Sequence, residues 1–246
     1  MKKLVAYLTS AFPDKSFTVD AVFSLKESGV DIIELGVPFS DPVADGPVIQ
    51  EANLKSLQNG FKMRDLFEIS DRIAKEVETL WMGYFNPFYH MGVEKSLQKA
   101  KECGVSGFIV PDLPFEEAES YRELFKKYSL SLIDFVAPTD SEERIKKIVK
   151  NSEKFIYLVA YAGITGADKK EDLKEVIEGI KKYTDTPVYV GFGVNEKTAK
   201  EKAEFADGVI VGSAFIKVLL REDLTNKEKL DNIKQIASTI KQKINE

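Results

Sequence analysis

The stretch DIIELGVPFSDPVADGP, residues 31–47, sets the interpretation of the whole chain. It opens as a short apolar strand interrupted by one carboxylate, Glu34, and continues as a loop rich in proline and glycine before a helix that starts near Val48. Nearly every side chain of a buried parallel strand meets apolar packing, so a carboxylate in its middle is unusual. Glu34 is either an edge or barrel-interior residue paired with a cation, or a proton-transfer group at a strand end.

The loop after this strand contains a second carboxylate, Asp45. Proline and glycine bend the backbone repeatedly between the two acids, so Asp45 can return to the mouth of the pocket that holds Glu34. Two carboxylates around one pocket can take different roles when their environments differ. We therefore predict that Glu34 and Asp45 are the catalytic residues.

The strand, loop and helix around Glu34 form one of eight similar units along the chain. The predicted strands are Val5–Thr9, Val30–Leu35, Leu80–Tyr84, Phe108–Val110, Leu130–Val136, Phe155–Ala160, Val188–Val190 and Val209–Val211. Such alternation requires parallel strands joined by crossover helices, and eight units close a barrel of roughly 250 residues. We predict an α/β fold, a (β/α)8 TIM barrel, as a single domain over residues 1–246. An open doubly wound sheet is the alternative, but its G-x-G-x-x-G fingerprint is absent after the first strand.

Composition narrows the function classes. The net charge is −5, with no sustained basic run, which argues against tight nucleic-acid binding. A single cysteine and a single histidine exclude an intrachain disulfide framework and a two-histidine metal motif, so we predict no metal site. The first residues are too few for a signal peptide, and no apolar stretch reaches membrane-spanning length. We expect a cytoplasmic protein.

Glycine-rich turns follow the last three predicted strands. They are Gly163–Gly166, Gly191–Gly193 and Gly212–Ala214. In a barrel these loops often bind phosphate, because small residues let backbone N–H groups approach the anion, and a helix starting at Ser213 would add its positive end. No G-x-x-x-x-G-K-[ST] motif is present, so nucleoside triphosphate chemistry is not indicated. The set predicts a phosphorylated substrate.

Apolar and aromatic side chains at the same strand ends suit a flat aromatic ligand. For any one of them, packing in the core is the alternative explanation. The set is Phe12, Ile49, Tyr84, Tyr157 and Phe192. Two further aromatic residues, Tyr7 and Trp81, lie inside predicted strands and are assigned to packing.

The chain resembles the tryptophan synthase alpha chain family. The run Glu34–Pro47 is similar to a long and specific motif of that family, and Pro111–Pro114 and the three glycine-rich turns follow in the family's order. The resemblance covers essentially the whole chain. It implies a lyase of tryptophan biosynthesis that cleaves indole-3-glycerol phosphate to indole and glyceraldehyde 3-phosphate by a retro-aldol reaction.

The resemblance also implies roles for individual residues. Glu34 would be the general acid–base, protonating the indole ring carbon and taking the proton of the glycerol hydroxyl. Asp45 would hydrogen-bond the indole nitrogen and stabilise the cationic tautomer. The other implied substrate-binding residues are Tyr84, Tyr157, Thr165, Gly166, Phe192, Gly193, Gly212 and Ser213, with the phosphate on backbone N–H groups of Gly166, Gly193, Gly212 and Ser213.

A beta chain is the partner that the resemblance implies, in a heterotetramer of two alpha and two beta chains. Pyridoxal phosphate would belong to that beta chain, with no cofactor in this one. The implied contacts are Asp41 and Pro42 after strand two and Asn86 and Pro87 in the loop after strand three.

Three departures from the family pattern bear on these expectations. Little sequence precedes the first strand, so the helix that many members carry there is expected to be minimal or missing. Ala11–Pro13 stands where a glycine is usual, and Ala160–Ala162 stands where many members have serine or arginine, in a loop expected to close over the substrate.

Three other functions stay open. Another phosphosugar barrel enzyme would share the phosphate loops but has no evident need for the run from Glu34 to Asp45. A free-standing indole-producing lyase would need no beta chain. A catalytically idle scaffold subunit is the third, and retention of both carboxylates argues against it.

Overall fold

A computed structural model describes residues 1–160 and 173–246 of the chain. In these residues nine strand segments form a single sheet in which all eight pairings are parallel. The segments are β1 (Lys3–Thr9), β2 (Ile32–Gly36), β3 (Glu78–Met82), β4 (Gly107–Ile109), β5 (Ser131–Leu132), β6 (Asp134–Val136), β7 (Ile156–Val159), β8 (Val188–Gly191) and β9 (Gly208–Val211). The sheet order is β5-β4-β3-β2-β1-β9-β8-β7-β6.

The two ends of this order, β5 and β6, are consecutive in the chain and separated only by Ile133. β5 pairs with β4 and β6 pairs with β7, so one continuous run of backbone changes neighbours at Ile133 and completes the ring. The Ile133 N–H still donates to Phe108 O on β4 (2.9 Å). The nine segments therefore correspond to the eight predicted strands, and the predicted (β/α)8 barrel is confirmed.

Helices alternate with the strands and cover the outside of the barrel. In the described residues they are α1 (Lys15–Glu27), α2 (Pro47–Gln58), α3 (Met63–Ile73), α4 (Phe85–Met91), α5 (Val93–Glu102), α6 (Phe115–Ala118), a 3₁₀ turn (Glu119–Tyr121), α7 (Arg122–Lys127), α8 (Glu142–Val149), α9 (Leu173–Lys181), α10 (Ala199–Ala203), α11 (Ser213–Leu219) and α12 (Asn226–Lys243). None of the helices in this part of the chain is long and apolar enough to cross a membrane.

The inside of the barrel is filled by side chains that alternate along each strand. An interior cluster contains one residue from each of seven strand segments (Val5, Ile32, Leu80, Ile109, Tyr157, Tyr189 and Ile210), together with Ile133 between β5 and β6 and Phe155 just before β7. On β2, Ile32, Glu34 and Gly36 share this inward phase because successive side chains alternate between the two faces. Glu34 is therefore an interior residue, one layer above Ile32 toward the carboxyl end of the strand.

One predicted loop is a helix. The residues after strand three, predicted as a loop at Asn86 and Pro87, form α4. Proline is compatible with the first turn of a helix, because the N–H it lacks has no partner there in any case. The N–H of Phe85 at the helix start donates to Oδ1 of Asp112, which lies after the next strand (2.8 Å). A capping group so distant in sequence cannot be recognised from the local pattern.

Candidate active site

A cavity of ≈ 300 Å³ opens at the carboxyl ends of the barrel strands. Its walls come from strands β1, β2, β3, β7 and β9, from the loops that follow β2, β8 and β9, and from helices α2 and α11. Both Glu34 and Asp45 line it. The structure thus brings the two carboxylates to one pocket, as the bends of the intervening loop predict.

Glu34 is held in a dry environment. Its side chain is 1% exposed, and its Oε1 has no hydrogen-bond partner among the described residues. Burial, reinforced by the negative charge of Asp45, raises the pKa of Glu34 to about 8. No basic side chain in residues 1–160 and 173–246 forms an ion pair with Glu34, so its position is not explained as a structural salt bridge. Glu34 carries a proton at neutral pH.

Asp45 sits in a more polar environment at the same cavity. Burial raises its pKa to about 6, while hydrogen bonds from Tyr84 Oη (3.1 Å) and Asn53 Nδ2 (3.5 Å) to its Oδ2 act in the opposite direction. The Tyr84 hydroxyl in turn accepts from the backbone N–H of Ala44 (2.9 Å), which fixes its direction. Asp45 is therefore largely ionised at pH 7, where Glu34 is largely neutral.

Two positioning residues, Asn53 and Tyr84, hold Asp45. The sequence predicts that Tyr84 binds substrate. In the structure its hydroxyl donates a hydrogen bond to Asp45, and Tyr84 is not among the described residues that line the cavity. Asn53 is buried on α2 and was missed. The available signal was a polar residue at an inward helical position, beside Ala52 and one turn before Ser56, both of which are also buried.

Burial of Glu34 makes the stability of the chain depend on pH. Between its ordinary value of 4.5 and about 8, the folded chain holds a proton that the unfolded chain releases. The free energy of unfolding therefore falls as pH rises through this window, and most of the stabilisation by the protonated acid is lost by pH 8. At pH 8 we expect the free energy of unfolding of Glu34→Gln to exceed that of wild type by roughly 2–4 kcal/mol. At pH 5 the difference should be much smaller.

Urea titrations at pH 5, 7 and 8 would measure this dependence. The matched control is Glu143→Gln, an exposed glutamate on α8, which should leave the pH dependence of wild type unchanged. Equal stabilities of wild type and Glu34→Gln at every pH would contradict a neutral, buried Glu34.

Aromatic side chains form much of the cavity wall. Tyr157 and Phe192 line it as predicted, together with Ile49, while Phe12 packs in the core outside the barrel strands. The Tyr157 ring stacks on Phe135 at 4.9 Å between centroids, and Phe192 meets it edge-on at 6.3 Å. Phe192 is 39% exposed and has a φ of 68°, a left-handed conformation that is uncommon for an aromatic residue. An exposed aromatic ring held this way at a cavity is consistent with a ligand-contacting role.

Tyr7, assigned to packing from the sequence, also lines the cavity. It is the register partner of Glu34 on the neighbouring strand, so both side chains face the interior. Its buried hydroxyl lies 3.4 Å from Thr9 Oγ1, and burial raises its pKa well above the ordinary value. The missing side chain of Gly36 makes room for the ring, because a Cβ there would lie 2.4 Å from the Tyr7 hydroxyl.

Gly191 makes the corresponding space for Tyr157. A Cβ at Gly191 would lie 2.3 Å from Cε1 of the Tyr157 ring, which is buried. We expect Gly191→Ala to destabilise the chain by about 1–3 kcal/mol, because overpacking displaces the ring or the strand. The matched control is Gly179→Ala on α9, where a Cβ meets nothing within 4 Å, and which should stabilise by about 0.5–1 kcal/mol. Denaturant unfolding of the two variants would measure the contrast, and similar effects of both would contradict it.

Small residues of the last two strand-end loops complete the cavity. Gly193, Gly212 and Ser213 line it, and α11 begins at Ser213 as predicted. Thr165 and Gly166, the remaining predicted substrate-binding residues, lie outside the described residues, as do Tyr161 and Ala162 of the predicted lid.

The residues predicted to contact a partner surround the same end of the barrel. Asp41 and Asn86 are exposed, and Pro42 and Pro87 are half-buried. Val43 and Tyr89, next to them in sequence, are 81% and 63% exposed. Within the described residues, no group of three or more His, Cys, Asp and Glu side chains is placed to hold a metal ion.

Comparison with known proteins agrees with this fold and shows the family of the chain. A family model described as tryptophan synthase alpha chain matches residues 1–245. The tryptophan synthase alpha chain of Wolinella succinogenes is 56% identical over 246 residues, covering 100% of this chain and 96% of that protein. That of Aquifex aeolicus is 41% identical, covering 100% and 94%. The crystal structure of tryptophan synthase subunit alpha from Legionella pneumophila superposes with a TM-score of 0.90 at 35% identity, covering 99% of this chain and 93% of that one.

Proposed function

The chain belongs to the tryptophan synthase alpha chain family and is an enzyme subunit of tryptophan biosynthesis, and we propose that it cleaves indole-3-glycerol phosphate to indole and glyceraldehyde 3-phosphate. The observation that carries the proposal is the pair of carboxylates in opposite protonation states at one aromatic-walled cavity. A retro-aldol cleavage needs a proton donor that becomes a proton acceptor, and a group that stabilises positive charge on the ring.

Glu34 has the properties of that donor. With a pKa of about 8 it is protonated at neutral pH, and in our proposal it transfers its proton to C3 of the indole ring. The resulting carboxylate then takes the proton of the hydroxyl on the adjacent glycerol carbon. As that hydroxyl becomes a carbonyl, the bond between C3 and the glycerol carbon breaks and its electrons return to the ring. Glu34 ends protonated, as it began.

Asp45 has the properties of the stabilising group. Protonation at C3 leaves a positive charge that is shared with the indole nitrogen, and the ionised carboxylate of Asp45 would accept a hydrogen bond from that N–H. Tyr84 and Asn53 hold Asp45 in one orientation, so little reorganisation is needed when the charge develops. The aromatic wall of Tyr157 and Phe192 suits the flat indole ring.

The phosphate would bind at the glycine-lined part of the cavity. We assign it to backbone N–H groups of Gly193, Gly212 and Ser213, which line the cavity, and of Gly166. Thr165 stays a predicted substrate contact.

We further propose that the chain acts with a tryptophan synthase beta chain, which would hold the pyridoxal phosphate of the complex, while this chain needs no cofactor for the cleavage. The contacts we expect are Asp41 and Pro42 after β2 and Asn86 and Pro87 on α4, next to the exposed side chains of Val43 and Tyr89. Because Asp41 and Pro42 belong to the loop that also carries Asp45, a partner seated on them would lie beside the catalytic cavity.

The test is indole release from indole-3-glycerol phosphate by the purified chain, with and without the beta chain. Slow release alone and faster release with the beta chain would support the proposal. Fast release that the beta chain does not change would indicate a free-standing lyase. Absence of release under both conditions would refute the lyase and leave a scaffold or a different phosphosugar substrate.

A further inference from the structure

One basic side chain, that of Lys217, lines the described part of the candidate active-site cavity. It belongs to α11 and follows Ser213 by four residues, so the two share a helix face. Side chains of a helix lean toward its N-terminus, which directs Lys217 back toward Ser213 and Gly212. Lys217 is exposed, so its ammonium can move on its long stem to meet an incoming group.

The charge of Lys217 is not neutralised by either carboxylate of the cavity. Burial and the charge of Asp45 raise the pKa of Glu34. Burial raises the pKa of Asp45 against the opposing hydrogen bonds of Tyr84 and Asn53, and Lys217 contributes to neither shift. In residues 1–160 and 173–246, no carboxylate lies within ion-pair distance of its ammonium. By contrast, Lys55 on the neighbouring helix α2 pairs with Glu51 (3.4 Å) and Glu222 (2.9 Å).

An anion at this place would gain from such a charge. A phosphate monoester carries up to two negative charges near neutral pH, and the ionised Asp45 in the same cavity repels it. The other groups that we assign to the phosphate are backbone N–H groups, which carry no formal charge. A lysine serves as a compact point charge for phosphate and needs no fixed geometry.

We propose that Lys217 is the residue that supplies the counter-charge for the phosphate of the substrate. This rests on the proposed function in naming the substrate, but phosphate binding can be tested separately from the reaction. Lys217 would contribute mainly to binding, because the phosphate lies on a part of the substrate that does not react. Its loss would then raise KM with little change in kcat.

The first experiment measures binding of inorganic phosphate and of glycerol 3-phosphate by calorimetry at low and moderate salt. We expect Lys217→Met to weaken both by about 10- to 100-fold, the factor that corresponds to the loss of one charged hydrogen bond. Lys217→Arg should retain most of the affinity. The matched control is Lys150→Met, at the C-terminal end of α8 and hence at the opposite end of the barrel, which should bind like wild type.

The second experiment measures steady-state indole release by the same variants. A raised KM and a nearly unchanged kcat in Lys217→Met support the inference. If wild type releases indole and Lys217→Met matches it in KM and in phosphate affinity, the inference is wrong and the proposed function stands. If wild type releases no indole but binds phosphate in a Lys217-dependent way, the inference stands and the proposed function fails. If wild type binds no phosphate probe, the inference is wrong.

Discussion

Replacing Glu34 by glutamine is expected to slow indole release from indole-3-glycerol phosphate by about 10²–10⁴-fold, the usual contribution of a general acid–base. Glutamine has nearly the shape of the protonated glutamate, so the cavity and its aromatic wall should be kept. It cannot give a proton to the indole ring or take one from the glycerol hydroxyl. Substrate affinity should therefore change little while kcat falls, because the lost interaction acts in the transition state.

The stability of the same variant separates loss of chemistry from loss of folding. Glu34 is buried with Oε1 unpartnered among the described residues, so the neutral amide should fold at least as well as wild type at pH 8. Glu143→Gln, on the exposed face of α8, serves as the control and should turn over like wild type. A well-folded Glu34→Gln with wild-type turnover would refute the assignment of Glu34.

The fold could be predicted from the sequence because the barrel repeats one local pattern. Each strand is a short run of apolar residues, and each helix has its own stripe, so eight units are visible without knowledge of their neighbours. The split of the fifth strand at Ile133, by contrast, cannot be predicted from the local pattern. It arises because one run of backbone pairs with β4 on one side and β7 on the other, and only closure of the ring produces that arrangement.

The candidate site could be predicted only where a residue is unusual for its own position. Glu34 is a carboxylate in an apolar strand, and Asp45 lies in a loop bent by proline. Tyr7 is ordinary for a strand, and its place beside Glu34 follows from the register of two strands distant in sequence. Asn53 and the capping of α4 by Asp112 likewise depend on contacts between separate elements.

The different roles of the two carboxylates predict how activity depends on pH. Activity should rise as Asp45 ionises near pH 6 and fall as Glu34 loses its proton near pH 8, so kcat/KM should follow a bell between these limits. The order of the two pKa values is essential, since a neutral acid and an ionised partner coexist only between them. This order is set by the environments: Tyr84 and Asn53 hydrogen-bond Asp45, while the described residues leave Oε1 of Glu34 without a partner.

Replacing Asp45 by asparagine should lower kcat/KM by about 10- to 100-fold, less than the loss at Glu34, because the amide oxygen still accepts a hydrogen bond but no longer carries a charge. The acidic limb near pH 6 should disappear. The limb near pH 8 should remain but move to lower pH, because Asp45 no longer raises the pKa of Glu34. Asp20→Asn, at an exposed position of α1, should keep the wild-type profile. An unchanged acidic limb in Asp45→Asn would assign that limb to another group, and wild-type kcat/KM would leave Asp45 without a role in the cleavage.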